Sequence, residues 1–315
     1  MKQIAVAAGV IYNSDGKILI AKRADNQHQG GLWEFPGGKI EAGETAEAAL
    51  KRELREELAI EVSAAEPLIR IHHHYPDKSV LLDVWRVTAF TGEARGVEGQ
   101  PLQWVSPQEL DNFDFPAANV PIVDAAQLPQ AIAVIDNISD IEQLERKAQL
   151  AAKQGFSWVM LRAPHATSTS HSLEADLRRA IKHATPLLGP DTQLVLNTNV
   201  PLANKLGADA LFLTAAHLLN MHSREEFSGR WLGAACHDAG ELQLALDKGV
   251  QFASLSPVLP SRGASKNTLG WENFHTLAET AKIPLYARGG LSLHHIERAL
   301  AEGGQGIMQT IRANA

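Results

Sequence analysis

Two different rhythms of apolar residues divide the chain. In the first, "IAVAAGVIYN" and "KILIAKRA" are strand-like runs on either side of "SDG", which predicts a β-hairpin. "VLLDVWRVTAF", rich in β-branched and aromatic residues, predicts another strand that ends at "TGE". Between them "ETAEAALKRELREEL" changes period: Ala46, Leu50, Leu54 and Leu58 recur every four residues, a buried stripe on a helix with Thr45 as its N-cap. "VPIVDAAQLPQ", bounded by Pro121 and Pro129, predicts a connector.

The second rhythm is shorter and more regular. Apolar runs stand at 132–135, 158–162, 194–197, 210–214, 232–236, 252–258, 284–290 and 306–311. Helical stretches such as "DIEQLERKAQLAAKQG" and "SLHHIERALAEGG" lie between most of them. Strands alternating with helices predict a (β/α)8 barrel of the TIM type. Only "RANA" follows the last run, so the closing helix is missing and another part of the chain is expected to cover that seam. The expected fold class is therefore α/β, with domains at 1–128 and 130–315.

The length of 315 residues suits two such domains, and 45% hydrophobic with 21% charged residues is ordinary for globular protein. A net charge of −7 argues against a dedicated nucleic-acid binder while leaving nucleotides open as substrates. The single cysteine, Cys236, excludes an intramolecular disulfide and fits a reducing cytosol. The opening "MKQIAVAAGVIYNSDGK" reads as a strand and not a signal peptide, and no apolar run reaches membrane-spanning length. A soluble cytoplasmic protein with no membrane partner is expected.

The helix carries the chemistry. At about 100° per residue, Glu53, Glu56 and Glu57 fall within roughly a 100° arc beside the leucine stripe. Like charges at this spacing repel. Either Lys51, Arg52 and Arg55 make this a solvated face, or a cation sits there; hard divalent ions take carboxylate oxygens and share them with phosphates. Gly37, Gly38 and Gly43 upstream permit a tight loop close to a ligand.

The full spacing is Gly38, five residues, Glu44, seven residues, Arg52-Glu53-Leu54-x-Glu56-Glu57, then Ile60, and it resembles the Nudix box. One position departs, Ala59 standing where that helix ordinarily ends in glycine. The resemblance implies an α/β/α sandwich with a mixed sheet, and hydrolysis of a nucleoside diphosphate linked to another group. It also implies Mg²⁺ or Mn²⁺ held by Glu53, Glu56 and Glu57, with Arg52 steadying Glu53.

Beyond the box, "FPGGKIEAGET", "VEGQPLQWV" and "FPAANVPI" resemble the MutT-type hydrolases of oxidised guanine nucleotides. That likeness implies Glu98 as a further metal ligand or general base and Gly37 as a carbonyl ligand. It places Arg23, His28, Glu34, Phe35, Pro36, Gly38, Lys39 and Asn119 at the nucleotide, with Asn119 reading the base and Phe35 forming an apolar wall. Lys78 in "YPDKSV" departs from the pattern, which puts 8-oxoguanine specificity in doubt. "HHH" at 72–74 could suggest metal, but a strand sends neighbouring side chains to opposite faces, so a solvated strand end is expected.

Residues 131–312 resemble thiamine-phosphate synthase and the related TenI thiazole tautomerases, through "MLRA", "LVLNTNVPLANKLGADALFL", "SPVLPSRGASKNTLGW" and "ARGGL". The likeness implies a phosphate cradle at Gly289, Gly290, Gln309 and Thr310 with Lys266, and His237 at the position of a proton-shuttling histidine. Equally, the glycines could merely turn the chain. Asn197-Thr198-Asn199 lacks the family's metal-binding aspartate and basic residue, and "AP" follows Arg162 where a lysine belongs, so synthase activity is not expected.

The expected activity is Mg²⁺-dependent hydrolysis of nucleoside triphosphates such as 8-oxo-dGTP to monophosphate and pyrophosphate. This would be nucleotide-pool sanitation serving DNA repair and replication, next to a barrel that binds a phosphorylated ligand. The alternatives are hydrolysis of damaged thiamine pyrophosphates or their precursors, and a barrel that senses thiamine or thiazole phosphate or acts as a tautomerase.

Overall fold

A computed structural model describes residues 3–25, 29–74, 79–163, 170–260 and 268–313. The chain divides into two compact units, Met1–Leu128 with Glu279–Pro284, and Pro129–Ala278 with Leu285–Ala315.

The first unit is built on a mixed sheet. Strands β1 (Gln3–Tyr12), β2 (Ile18–Lys22), β3 (Trp33–Glu34), β5 (Glu61–His74) and β6 (Ser79–Thr91) lie in the order β3-β2-β1-β6-β5. β4 (Gly37–Lys39) also pairs with β1, and β7 (Leu102–Val105) with β2. Only β1 and β6 run parallel; the other pairs are antiparallel. The predicted hairpin joins β1 to β2, and the Asn13 carboxamide accepts from the Asp15 and Lys17 amides to fix its turn.

The two-residue period of the strands sends alternate side chains into two cores. Ala7, Ile11 and Leu19 pack against helix α1 (Ala46–Leu58), whereas Ala8, Val10, Ile18 and Ile20 pack against helix α2 (Val120–Gln127). The result is an α/β/α sandwich. Thr45 caps α1, its hydroxyl accepting from the Ala48 amide at 3.2 Å. The buried stripe is Ala49, Leu50, Leu54 and Leu58, so Ala49 takes the place expected for Ala46, which sits half-exposed on the first turn.

α2 corrects the expected connector. Pro121 lies in its first turn, where a missing N–H costs nothing, and Ile122, Val123, Ala125 and Ala126 bury into the core. The two prolines were signals for a helix start and for the residue after a helix end.

The second unit is a closed barrel of eight parallel strands, β8 (Ala131–Ile135), β9 (Trp158–Arg162), β10 (Gln193–Asn197), β11 (Ala210–Leu213), β12 (Trp231–Cys236), β13 (Phe252–Leu255), β14 (Leu285–Arg288) and β15 (Gly306–Thr310). Each falls within or beside one of the predicted apolar runs. Helices α3 (Ile141–Lys153), α4 (Ser170–Ala184), α5 (Val200–Lys205), α6 (Ala215–Asn220), α7 (Ala239–Asp247), α8 (Gly270–Thr280) and α9 (Ile296–Ala301) connect them, and among the described residues no helix follows β15.

Rings from strands far apart in the barrel meet at its axis. The Trp158 and Phe252 centroids are 5.9 Å apart, and those of Phe212 and Phe252 5.8 Å. These rings fill the interior as a packed floor. No described helix is long and apolar enough to cross a membrane.

Candidate active site

In the first unit, β4 and α1 bring the glycine-rich turn beside the carboxylates. At Gly37 (φ 148°) a Cβ would stand 2.1 Å from the Ala7 carbonyl oxygen, so the close pairing of β4 with β1 requires glycine there. At Gly38 a Cβ would lie 2.2 Å from the Glu53 carboxyl carbon. The bare backbone at 38 is the space that Glu53 occupies.

Arg52 organises the acidic side chains. Its Nε and Nη2 donate to the two oxygens of Glu44 at 3.0 and 2.9 Å, a fork-on-carboxylate pair. Nη1 donates to Glu53 Oε1 at 2.8 Å and to Glu56 Oε2 at 3.4 Å, and Nη2 also reaches the Lys39 carbonyl at 3.0 Å. These bonds raise the Arg52 pKa, Glu44 contributing most and Glu53 next. Glu44 belonged to the spacing pattern, but only the fold reveals that it anchors Arg52.

Glu57 is in the opposite situation. It is half-buried, and its carboxylate accepts only a long bond, 3.3 Å, from the Gly37 amide. Burial first, then repulsion from Glu53, Glu34 and Glu98, pushes its pKa up to about 7. Glu98 reaches this neighbourhood because its turn is fastened to the end of α1. The Val97 amide donates to the Glu57 carbonyl at 2.9 Å, and the Gln100 carboxamide does so at 3.0 Å. Gln100 was quoted within "VEGQP" without a role; nothing local in the sequence marks it as a fastener.

Among the described residues, no group of three or more Asp, Glu, His or Cys side chains stands in a ready metal-ligating array. Glu56 is mostly exposed and leans on Arg52, and Glu98 is exposed on its turn. The donor chemistry nonetheless fits a hard divalent cation. Glu57 feels three other carboxylates, while Arg52 is already forked onto Glu44. A cation would relieve a repulsion that the protein's own positive groups leave standing.

Next to this cluster lies a cavity of about 220 Å³ lined by Arg23, Glu34, Phe35, Gly37, Lys39 and Asn119 among others. Phe35 is buried and stacks on Phe115, with ring centroids 5.3 Å apart. Asn119 precedes α2, yet its side chain makes no capping bond there. Arg23 pairs with Glu34, whose pKa burial raises against that pairing. Pro36 is elsewhere: its carbonyl accepts from the Gly9 amide at 2.8 Å, and it does not line the cavity. His28 and Lys78 lie outside the described residues. His72 and His73 are half-buried on β5, and among the described residues they join no metal-ligating group.

The NUDIX domain family matches residues 7–125, and the thiamine monophosphate synthase family matches residues 131–311. The 8-oxo-dGTP diphosphatase of Escherichia coli (strain K12) is 42% identical over 123 residues, 39% of this chain and 95% of that protein. The CTP pyrophosphohydrolase of the same organism is 41% identical over 125 residues, 40% of this chain and 92% of that protein. A putative thiamine-phosphate synthase of Geobacter sulfurreducens is 31% identical over 135 residues, 42% of this chain and 62% of that protein. The chain belongs to both families.

Its first unit is a Nudix pyrophosphohydrolase domain, and its second is a barrel of the thiamine monophosphate synthase family. In this barrel several polar residues at the strand ends are engaged in structure. The Asn197 amide donates to the Phe212 carbonyl at 2.6 Å, Asn199 caps α5, and Thr214 caps α6. His237 Nδ1 stands 2.8 Å from Glu241 Oε2 at the start of α7, although the ring also lines the barrel mouth. Gly289 (φ 96°) and Gly290 (φ 65°) turn in the left-handed region, and a Cβ at 290 would stand 2.4 Å from the Pro260 carbonyl oxygen. Gln309 Oε1 accepts from the Leu293 amide at 2.8 Å, and Thr310 lines the mouth. Lys266 lies outside the described residues.

Proposed function

We propose that the Nudix domain hydrolyses nucleoside triphosphates, oxidised guanine nucleotides among them, to a monophosphate and pyrophosphate with Mg²⁺ or Mn²⁺. The observation that carries this reading is the position of Glu57, a half-buried carboxylate facing three others beside a nucleoside-sized cavity. Glu53, Glu56, Glu57 and Glu98, with the Gly37 carbonyl, are the oxygens that would hold the cation. When bound, the cation neutralises phosphate charge and lowers the pKa of a coordinated water.

The rest is the work of the chain. Arg52 fixes Glu53 in place, and Gly38 leaves room for its carboxylate. Lys39 and Arg23 face the phosphate and sugar, and Glu34, paired with Arg23, shapes the entry; the family resemblance gives His28 a share in binding the nucleotide. Phe35 and Asn119 receive the base, the carboxamide both donating and accepting at its edge. Glu98 takes the proton of the attacking water as the bond to the leaving pyrophosphate breaks. This activity would clear damaged nucleotides from the cytoplasmic pool and so protect replication. The barrel would bind a phosphorylated ligand of the thiazole or thiamine phosphate kind without acting as a synthase.

A product assay comparing 8-oxo-dGTP, dGTP, CTP and thiamine pyrophosphate tests the hydrolase reading. Turnover of thiamine pyrophosphate alone would replace it with the thiamine-directed alternative, and preference for CTP would move it towards the second relative. Calorimetry of the full chain with thiazole phosphate tests the barrel, and absence of heat would remove that ligand class.

A further inference from the structure

The cavity of about 220 Å³ beside the acidic helix is lined by a polar side chain, Gln29, that no sequence motif marks. Val6, Leu82, Ile122 and Phe35 make its walls apolar, and its charged side chains are Lys39 and the paired Arg23 and Glu34. Among the described lining residues the uncharged polar side chains are the carboxamides of Asn119 and Gln29.

The loop that carries Gln29 is pinned at its base. The Arg23 amide donates to the Leu32 carbonyl at 2.9 Å, and the Gly31 amide donates to the Arg23 carbonyl at 3.1 Å. Gly30 lets the chain fold back closely, since a Cβ there would stand 2.5 Å from the Asp25 carbonyl oxygen. Gln29 itself has a left-handed backbone (φ 58°), which is unfavourable for a residue with a Cβ and free for glycine. Its Oε1 is closed to solvent and has no donor among the described residues. A strained backbone and an unpaired carbonyl oxygen on one residue both cost stability, and neither serves the fold. A ligand in the cavity supplies the missing donor. The last torsion of a glutamine side chain is soft, so the carboxamide can turn to meet it.

We infer that Gln29 is a specificity-determining residue of the hydrolase, its carboxamide oxygen accepting from an N–H on the edge of the nucleobase in the cavity it shares with Asn119. This role rests on the reading of the domain as a nucleoside triphosphate hydrolase. Apolar walls hold any flat ring alike, and charged groups serve any triphosphate alike, so discrimination falls to the carboxamides. An acceptor built for a base N–H disfavours a ring without one, because the oxygen is then left unpaired.

Steady-state hydrolysis by the full chain with Mg²⁺ tests this role on two substrates. One is dGTP; the other is the triphosphate of unsubstituted purine deoxyriboside, whose base has no N–H. They share sugar and phosphates, so only contacts to the base move the ratio of their kcat/KM values. Gln29→Leu and Gln29→Met should each lower that ratio about tenfold, as loss of one uncharged hydrogen bond does, with the change mainly in KM for dGTP. Both variants should melt at or above the wild-type temperature, because no hydrogen bond within the protein is lost. An unchanged ratio in both variants would overturn the role, since a contact to sugar, phosphate or scaffold lowers both substrates equally. A lower melting temperature with the ratio intact would assign Gln29 to the loop instead. In the wild type alone, dGMP should inhibit about tenfold more tightly than purine deoxyriboside monophosphate, and equal inhibition would overturn the role without any variant. A wild type that hydrolyses neither triphosphate would overturn the hydrolase reading itself; one active on both, with an unmoved ratio in the variants, would leave that reading standing and remove only Gln29.

Discussion

The two domains gather opposite charges, carboxylates on α1 of the first and arginines at the barrel mouth of the second, and they hold their polar groups in different ways. In the Nudix domain the motif residues remain committed to one another: Arg52 is forked on Glu44 and touches Glu53 and Glu56, while Glu57 stands nearly without donors. In the barrel, Asn199 and Thr214 cap helices and Asn197 bonds to a neighbouring strand, while Arg162 of the "MLRA" stretch and Arg288 line the cavity. The contrast teaches that motif positions can be held by one another or by the scaffold. A residue that caps a helix or bridges two strands supports the fold through the same polar groups that a ligand would use.

The largest expected effect tests the acidic side of this contrast. Glu53→Gln should lower the hydrolysis rate by roughly three orders of magnitude, with the melting temperature nearly unchanged. A rate within a few-fold of wild type would show that the carboxylates are only a solvated face. Gly38→Ala comes next. Its Cβ would lie 2.2 Å from the Glu53 carboxyl carbon and must displace it, so a rate loss of about a hundredfold is expected, with fold retained by circular dichroism.

A smaller effect concerns pH. Glu57 has its pKa raised from 4.5 to about 7 in the cation-free fold, so the folded state binds that proton more tightly than the unfolded chain does. Its contribution to stability is fully present below 4.5 and is lost as pH rises through about 7. The cation-free protein should therefore melt progressively lower across this window, and Glu57→Gln should flatten the trend. Added Mg²⁺ should raise the melting temperature more at the alkaline end, where no proton has to leave. A Mg²⁺ effect independent of pH would contradict the assignment of Glu57.

The smallest effect lies at Ala59. It ends α1 in the left-handed region (φ 57°, ψ 35°), where a Cβ is unfavourable. Ala59→Gly should stabilise the domain by about 1 kcal/mol in denaturant melts without changing the rate. A loss of stability would show that the alanine methyl packs usefully there.

Legibility in the sequence followed physical range. The barrel strands were readable because each is a short apolar run bounded by turns, and α1 because Leu50, Leu54 and Leu58 hold one face. β5 was barely readable: "EVSAAEPLIRIHHH" contains Pro67 and has register shifts against β6, so its alternation is broken. Of the acidic site, the spacing on α1 was legible, but the fastening of Glu98 through Gln100 and the burial of Glu57 depend on residues some forty positions apart. Arg288 at the barrel mouth was legible only as an isolated charge, since its approach to Arg162 of the "MLRA" stretch requires the barrel to close.

The central claim is that these carboxylates gather a divalent cation at the nucleotide site. Mn²⁺ binding followed by electron paramagnetic resonance, on wild type and Glu57→Gln, measures that directly. The account predicts a saturable Mn²⁺ site in the wild type that the variant loses; equal binding by both proteins, or none by either, would contradict it.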